Sequence, residues 1–163
     1  MLPGMTAKPP ARPQSARLAD VRARLAQDVD CWVATSSADG LPGLVPLSFD
    51  WDGSTILLAT GRDTPAGANL RRTGRVRLAL GEPRDVVLVD GTATELELSA
   101  VSEQRWAAYT QRCGWDPRGD GAGYAAYLVR PRRVQAWRES NELPGRTLMC
   151  SGVWVDEPTI VDA

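Results

Sequence analysis

The spacing of apolar positions changes several times along the chain, and each change predicts an element. From residue 15 the pattern is helical: Leu18, Val21 and Leu25 fall at i, i+3 and i+7, with arginines and acids on the other face. Residues 31–37 and 44–51 are rich in β-formers, and Ala38, Asp39 and Gly40 between them supply turn chemistry, so a hairpin is predicted. Asp52 and Gly53 make a second turn into an apolar run over residues 55–60, which reads as a buried strand and completes a three-strand meander. Pro46 stands inside the second strand without an N–H for a ladder, which marks an edge or a place where pairing opens.

The run ends abruptly at a helix start. Thr64 stands where an N-cap belongs, Pro65 is preset for the first helical position, and Gly74 is placed to end the helix. A strand over 75–80 follows, then a GEPRD loop, then 85–98, where apolar and polar residues roughly alternate around Gly91, a bend or bulge. Ser102 opens another helix, in which Trp106, Tyr109 and Cys113 share a face and Gly114 supplies the stop. Residues 115–123 read as a loop, and 124–129 and 133–137 as two strands broken at Pro131. The expected class is therefore mainly β: an antiparallel barrel of six or seven strands with a few short flanking helices.

Length and charge narrow the function classes. The 163 residues suit one domain over 15–155, preceded by a proline-rich, disordered tail over 1–14 and followed by a loose tail over 156–163. With 19 basic and 20 acidic side chains the net charge is −1, so no overall field favours nucleic acid or an anionic membrane, and no stretch is apolar enough to span one. Histidine is absent, which excludes a Ser-His-Asp or Cys-His unit and any His-ligated metal. Cys31, Cys113 and Cys150 match neither a metal pair nor a closed disulfide framework and read as reduced thiols of a cytoplasmic protein.

Candidate chemistry gathers at ATGRDTPAGANLRR, residues 59–72. A helix start there presents unpaired N–H groups to an anion, and Thr60, Arg62, Thr64 and Asn69 add donors, which makes a phosphate site. The same residues also suit a plain strand-to-helix connection with a solvated arginine face.

The succession WVATSSADGLPGLVPLSFDWDGSTILLATGRDTPAGANLRRTGRVRLAL, followed by VVLVDGTATEL, resembles the flavin-binding split barrels of the pyridoxamine 5′-phosphate oxidase-like superfamily, over about residues 29–154. In RPRRVQAWRESNELPGRTLM a Trp is followed nine residues later by an Arg, similar to the Trp and Arg that touch the flavin in the oxidases. The resemblance implies a split β-barrel of Greek-key type that binds FMN or, alternatively, the deazaflavin coenzyme F(420). It implies Pro46, Leu47 and Ser48 beside the ring, with their backbone on its polar edge, and Thr60, Gly61, Arg62, Thr64 and Pro65 around the phosphate, with Asn69 nearby. It implies a homodimer with cofactors at the interface, so that Trp137 and Arg146 reach the partner's cofactor.

The function so implied is an oxidoreductase that passes hydride between the cofactor and a small organic molecule, with no side-chain nucleophile or metal. The alternative is a non-catalytic protein that binds or stores a flavin or another flat ligand. Two departures stand out. Ala66 lies at or next to a position where many relatives carry a basic residue that grips the phosphate, leaving Arg62, Arg71 or Arg72 as substitutes. Residues 141–145 contain neither the Arg nor the His with which true oxidases hold a pyridoxal-type substrate, so vitamin B6 oxidation is not expected.

Overall fold

The computed structural model describes residues 9–121 and 123–156. Its elements in chain order are α1 (Gln14–Gln27), β1 (Asp30–Ser36), β2 (Pro42–Trp51), β3 (Ile56–Gly61), α2 (Pro65–Thr73), β4 (Arg75–Leu80), β5 (Val86–Leu96), α3 (Glu103–Cys113), β6 (Tyr124–Trp137), β7 (Thr147–Cys150) and β8 (Val153–Trp154). The strands run in the order β3-β2-β1-β4-β5-β6-β7-β8, every pairing is antiparallel, and β3 also pairs with β6. The first six strands therefore close into a barrel, and β7 and β8 extend the sheet beyond it, as the sequence predicts for a mainly β split barrel.

Burial explains the patterns. The β3 run is continuously apolar because both of its faces are covered: Ile56 and Leu58 enter the barrel core with Val33, Phe49, Leu78, Val89 and Tyr127, while Leu57 and Ala59 meet Trp106 and Tyr109 of α3 outside it. Leu18, Val21 and Leu25 of α1 join the barrel core, and Leu70 of α2 enters it from one end. Ser102 caps α3 by accepting from the Arg105 N–H, and Gly114 ends it at φ 77°.

One expectation is corrected. Residues 124–129 and 133–137 form a single strand, β6, with an irregularity where two breaks of pattern coincide. Asp90 pairs with Arg133 and Gly91 with Pro131, so Arg132 bulges out, and its C=O accepts from the Gly152 N–H. Pro131 is tolerated because β6 has just left β3, whose pairing ends at Val129. Gly91 permits the crossing: a Cβ there would lie 2.7 Å from Val129 Cγ1 and 2.8 Å from the Arg130 C=O.

The tail expected over 1–14 lies outside the described residues as far as residue 8. Beyond it, Asn141 donates to the Pro9 C=O and Arg12 is ion-paired to Glu142. The C-terminal tail lies outside the described residues from residue 157. No helix among the described residues is long and apolar enough to cross a membrane.

Candidate functional site

The barrel opens beside Pro46. β2 pairs with β1 from Pro42 to Ser48, but meets β3 only at Phe49–Trp51. Continuing that second register would set Leu47 opposite Thr60 and Pro46 opposite Gly61, yet the strands part before reaching them. The Phe49 N–H donates to the Val29 C=O, so the alternation of an antiparallel ladder turns the Leu47 backbone toward β1 and those of Ser48, Pro46 and Leu44 toward the opening. Of the three residues expected at a ring edge, Pro46 and Ser48 thus aim backbone groups into the split, whereas Leu47 packs its side chain on the core. The Ser48 C=O already accepts from the Tyr109 hydroxyl at 3.5 Å.

Across the split, α2 begins directly after β3. Thr64 Oγ1 accepts from the Gly67 N–H at 3.1 Å and donates to the Gly61 C=O at 2.8 Å, Pro65 occupies the first helical position, and Gly74 closes the helix at φ 61°. Asn69 Nδ2 donates to Thr35 Oγ1 on β1 at 3.0 Å, which ties the helix over the barrel mouth. Thr60, Gly61, Arg62, Thr64, Pro65 and Asn69 are therefore gathered around the start of α2, facing the parted edge of β2. Replacement of Thr64 by alanine is expected to cost about 1 kcal/mol, read as a lower midpoint in thermal unfolding.

The donors at this end are largely in use. Pro65 has no N–H, Gly67 donates to the cap, and the Ala68 N–H donates to the Thr64 C=O, so these bonds leave Ala66 as the first-turn amide. One Arg62 guanidinium nitrogen lies 2.5 Å from Glu97 Oε2 and another 3.8 Å from Glu95 Oε1, while its Nε donates to the Tyr124 C=O. Arg71 also approaches Glu95, at 4.0 Å. Beneath the helix, the Tyr127 hydroxyl donates to the Gly67 C=O at 3.3 Å; burial first, then Glu95, pushes its pKa up to about 12, so it stays protonated.

Trp137 and Arg146 stand together but elsewhere. The Arg146 guanidinium lies 5.3 Å from the centre of the Trp137 ring, and the Ala136 N–H donates to the Arg146 C=O. They sit at the far end of β6 from Tyr124, which pairs with Gly61; at about 3.3 Å per residue that is roughly 40 Å of strand. Within one chain the pair thus stands at the opposite end of β6 from the residue that meets Gly61.

Two features were not read from sequence. Glu95 and Glu97 look like ordinary solvent-facing strand positions, and nothing local announces that they would draw in Arg62 across 35 residues. Gly67 carried a usable signal, since glycine inside a helix calls for a packing reason. A Cβ there would lie 2.3 Å from the Gly61 C=O. The outer face of β1 and β2 also exposes Trp32 (49%) and Leu44 (62%) around Pro46, an apolar patch on a strand pair.

The family model described as pyridoxamine 5′-phosphate oxidase matches residues 18–138. No curated protein matches the sequence. Among solved structures, a putative pyridoxamine 5′-phosphate oxidase from Listeria innocua superposes with a TM-score of 0.61 at 19% identity, covering 75% of this chain and 98% of that one. An F(420) reductase superposes at 0.59 with 18% identity, covering 69% and 94%. HutZ, the heme storage protein of Vibrio cholerae, superposes at 0.63 with 16% identity, covering 72% and 92%. At such identities these structures bear on the fold alone. With the family match running from the first helix through the last barrel strand, the chain belongs to the pyridoxamine 5′-phosphate oxidase-like split-barrel family.

Proposed function

We propose that two copies of this chain hold a flavin or deazaflavin ring between them in the cytoplasm, FMN or alternatively the deazaflavin coenzyme F(420), and act as an oxidoreductase on a small organic molecule. The observation that carries this reading is the parting of β2 from β3. A strand edge that turns the Pro46 C=O and the Ser48 N–H into an opening, next to the apolar Val45 and Leu47, suits a flat ring with one polar edge. Trp137 and Arg146, an aromatic wall and a cation, join such a ring only if a second copy brings its own, and the exposed Trp32 and Leu44 give that copy an apolar surface to meet.

When bound, the ring supplies the hydride chemistry. The residues of the chain hold the ring's edge, stack on it and keep water from it. The phosphate end fits less well, since Arg62 is engaged by Glu97, so no role is assigned to a phosphate there.

Titration of the purified chain with FMN and separately with F(420), followed by fluorescence quenching, tests the reading. One of the two is expected to bind at micromolar concentration or tighter, with Trp137→Ala weakening it by about tenfold or more and sedimentation giving a dimer. If neither binds, and riboflavin, which carries the ring without the phosphate, does not bind either, the reading fails.

A second reading is a protein that holds a flat ring without turning it over. It is favoured by the residues at the split, where Pro46, Leu47, Ser48, Thr60 and Gly61 offer no group that titrates near neutral pH and Tyr127 is held at about 12. Binding without reduction of any acceptor in a broad panel decides for this second reading.

A further inference from the structure

We propose that Glu95 and Glu97 set the specificity of this site against phosphate, so that it takes a flavin-type ring with an uncharged, hydroxyl-bearing tail in preference to the phosphorylated form. The proposal rests on the reading of the split as a ring site. A phosphate at the start of α2 would draw on Arg62, Arg71 and the first-turn amides, and most of these are engaged. Arg62 is held at 2.5 Å by Glu97 and at 3.8 Å by Glu95, and Arg71 leans on Glu95 at 4.0 Å. The first-turn amides are reduced to that of Ala66 by Pro65 and the Thr64 cap. Pro65 and Ala66 bring no charge, and Asp63 adds a third carboxylate next to Thr64. Arg62 and Arg71 therefore lean on Glu95 and Glu97 where a phosphate would bring two further negative charges.

An uncharged tail meets different terms. Its hydroxyls can donate to the Glu97 carboxylate, 68% exposed, without separating that group from Arg62. The Arg62 to Glu97 pair is half-exposed and so individually weak, which means that a phosphate is disfavoured rather than forbidden. Neutralising Glu97 should then release Arg62 to a phosphate that it can grip with two parallel bonds.

The test compares riboflavin with FMN on the wild-type chain, Glu97→Gln, and Glu97→Gln combined with Arg62→Ala, each ligand titrated by fluorescence quenching. Riboflavin is expected to bind the wild type at least as tightly as FMN. Glu97→Gln is expected to move the preference toward FMN by about tenfold while riboflavin affinity changes by no more than about twofold, and the added Arg62→Ala to erase that gain. The ratio of two ligands on one variant does not move with a general loss of stability. A wild type that prefers FMN by tenfold or more, or a ratio unchanged by Glu97→Gln, overturns the specificity assignment and leaves the ring site standing. Failure of riboflavin and FMN to bind any variant overturns the assignment, and failure of F(420) as well overturns the ring site itself.

Discussion

Replacement of Glu142 by alanine is expected to lower the stability of the fold by about 3 kcal/mol, because it strips the anion from a buried pair and leaves the cation behind. Glu142 is 3% exposed. Its Oε1 accepts from the Arg12 backbone N–H at 3.0 Å and from Arg12 Nε at 2.9 Å; its Oε2 accepts from Arg12 Nη2 at 2.7 Å and from the Arg138 N–H at 2.8 Å. Arg17 adds a bond to the Glu142 C=O. Asp20, 2.6 Å from Arg12, softens the loss and keeps the expected cost at the lower end for a broken buried pair.

The Arg12 hydrogen bond, ahead of the burial that opposes it, holds the Glu142 pKa down from 4.5 to about 2. A folded pKa below the unfolded one means that this stability is present above about pH 4.5 and is lost as pH falls toward 2. At 1.36 kcal/mol per unit the contribution is bounded by about 3 kcal/mol. Chemical unfolding of wild type and Glu142→Gln at pH 7 and at pH 3 should therefore show a gap that narrows in acid. Asp52, Asp85 and Asp90 are also depressed and weaken both proteins together, so the difference between the two isolates Glu142. An equal gap at both pH values would mean that the carboxylate is not paired as described. Because this knot fixes the segment between Trp137 and Arg146, its loss should also loosen their stack.

Local rules made most of the scaffold legible. Thr64, Pro65 and Gly74 announce α2 because caps act within one turn, and Leu18, Val21 and Leu25 announce α1 because a helix repeats its face every 3.6 residues. The missing N–H of Pro46 marked an edge or an opening, and the parting of β2 from β3 decided for the opening. What stayed hidden depends on residues far apart in sequence. Pro131 looks like a strand break until Gly91, 40 positions earlier, is found opposite it. Arg62 reads as a free cation in the sequence until the fold sets Glu95 and Glu97 beside it, and a long arginine side chain follows whichever carboxylate the fold brings near. Which residues gather at the start of α2 could thus be read from sequence, while their electrostatics could not. The resemblance paired Trp137 with Arg146 only through a shared cofactor, and the stacking of one on the other came from the fold.

Gly67→Ala sets two rules against each other, and the sign of the result decides between them. Alanine is the better helix former by about 1 kcal/mol, so propensity alone has the variant gain stability. The seat of α2 requires the opposite. The new Cβ would fall 2.3 Å from the Gly61 C=O, 3.0 Å from the Arg62 C=O and 3.1 Å from the Tyr127 hydroxyl. The first two are backbone oxygens at the end of β3, which cannot rotate aside, so the helix itself has to lift. Lifting it strains the Tyr127 bond to the Gly67 C=O and the Asn69 bond to Thr35, and draws Leu70 back from the core. Overpacking of about 1–3 kcal/mol together with a weakened hydrogen bond of about 1 kcal/mol outweighs the propensity gain, for a net loss of about 2 kcal/mol. Urea unfolding measures it directly, and a variant as stable as the wild type would mean that α2 does not rest on Gly61. The same lift widens the gap between the start of α2 and the edge at Pro46 and Ser48. Ring affinity should consequently fall even at temperatures where the variant remains folded, which separates a displaced site from a merely weakened protein.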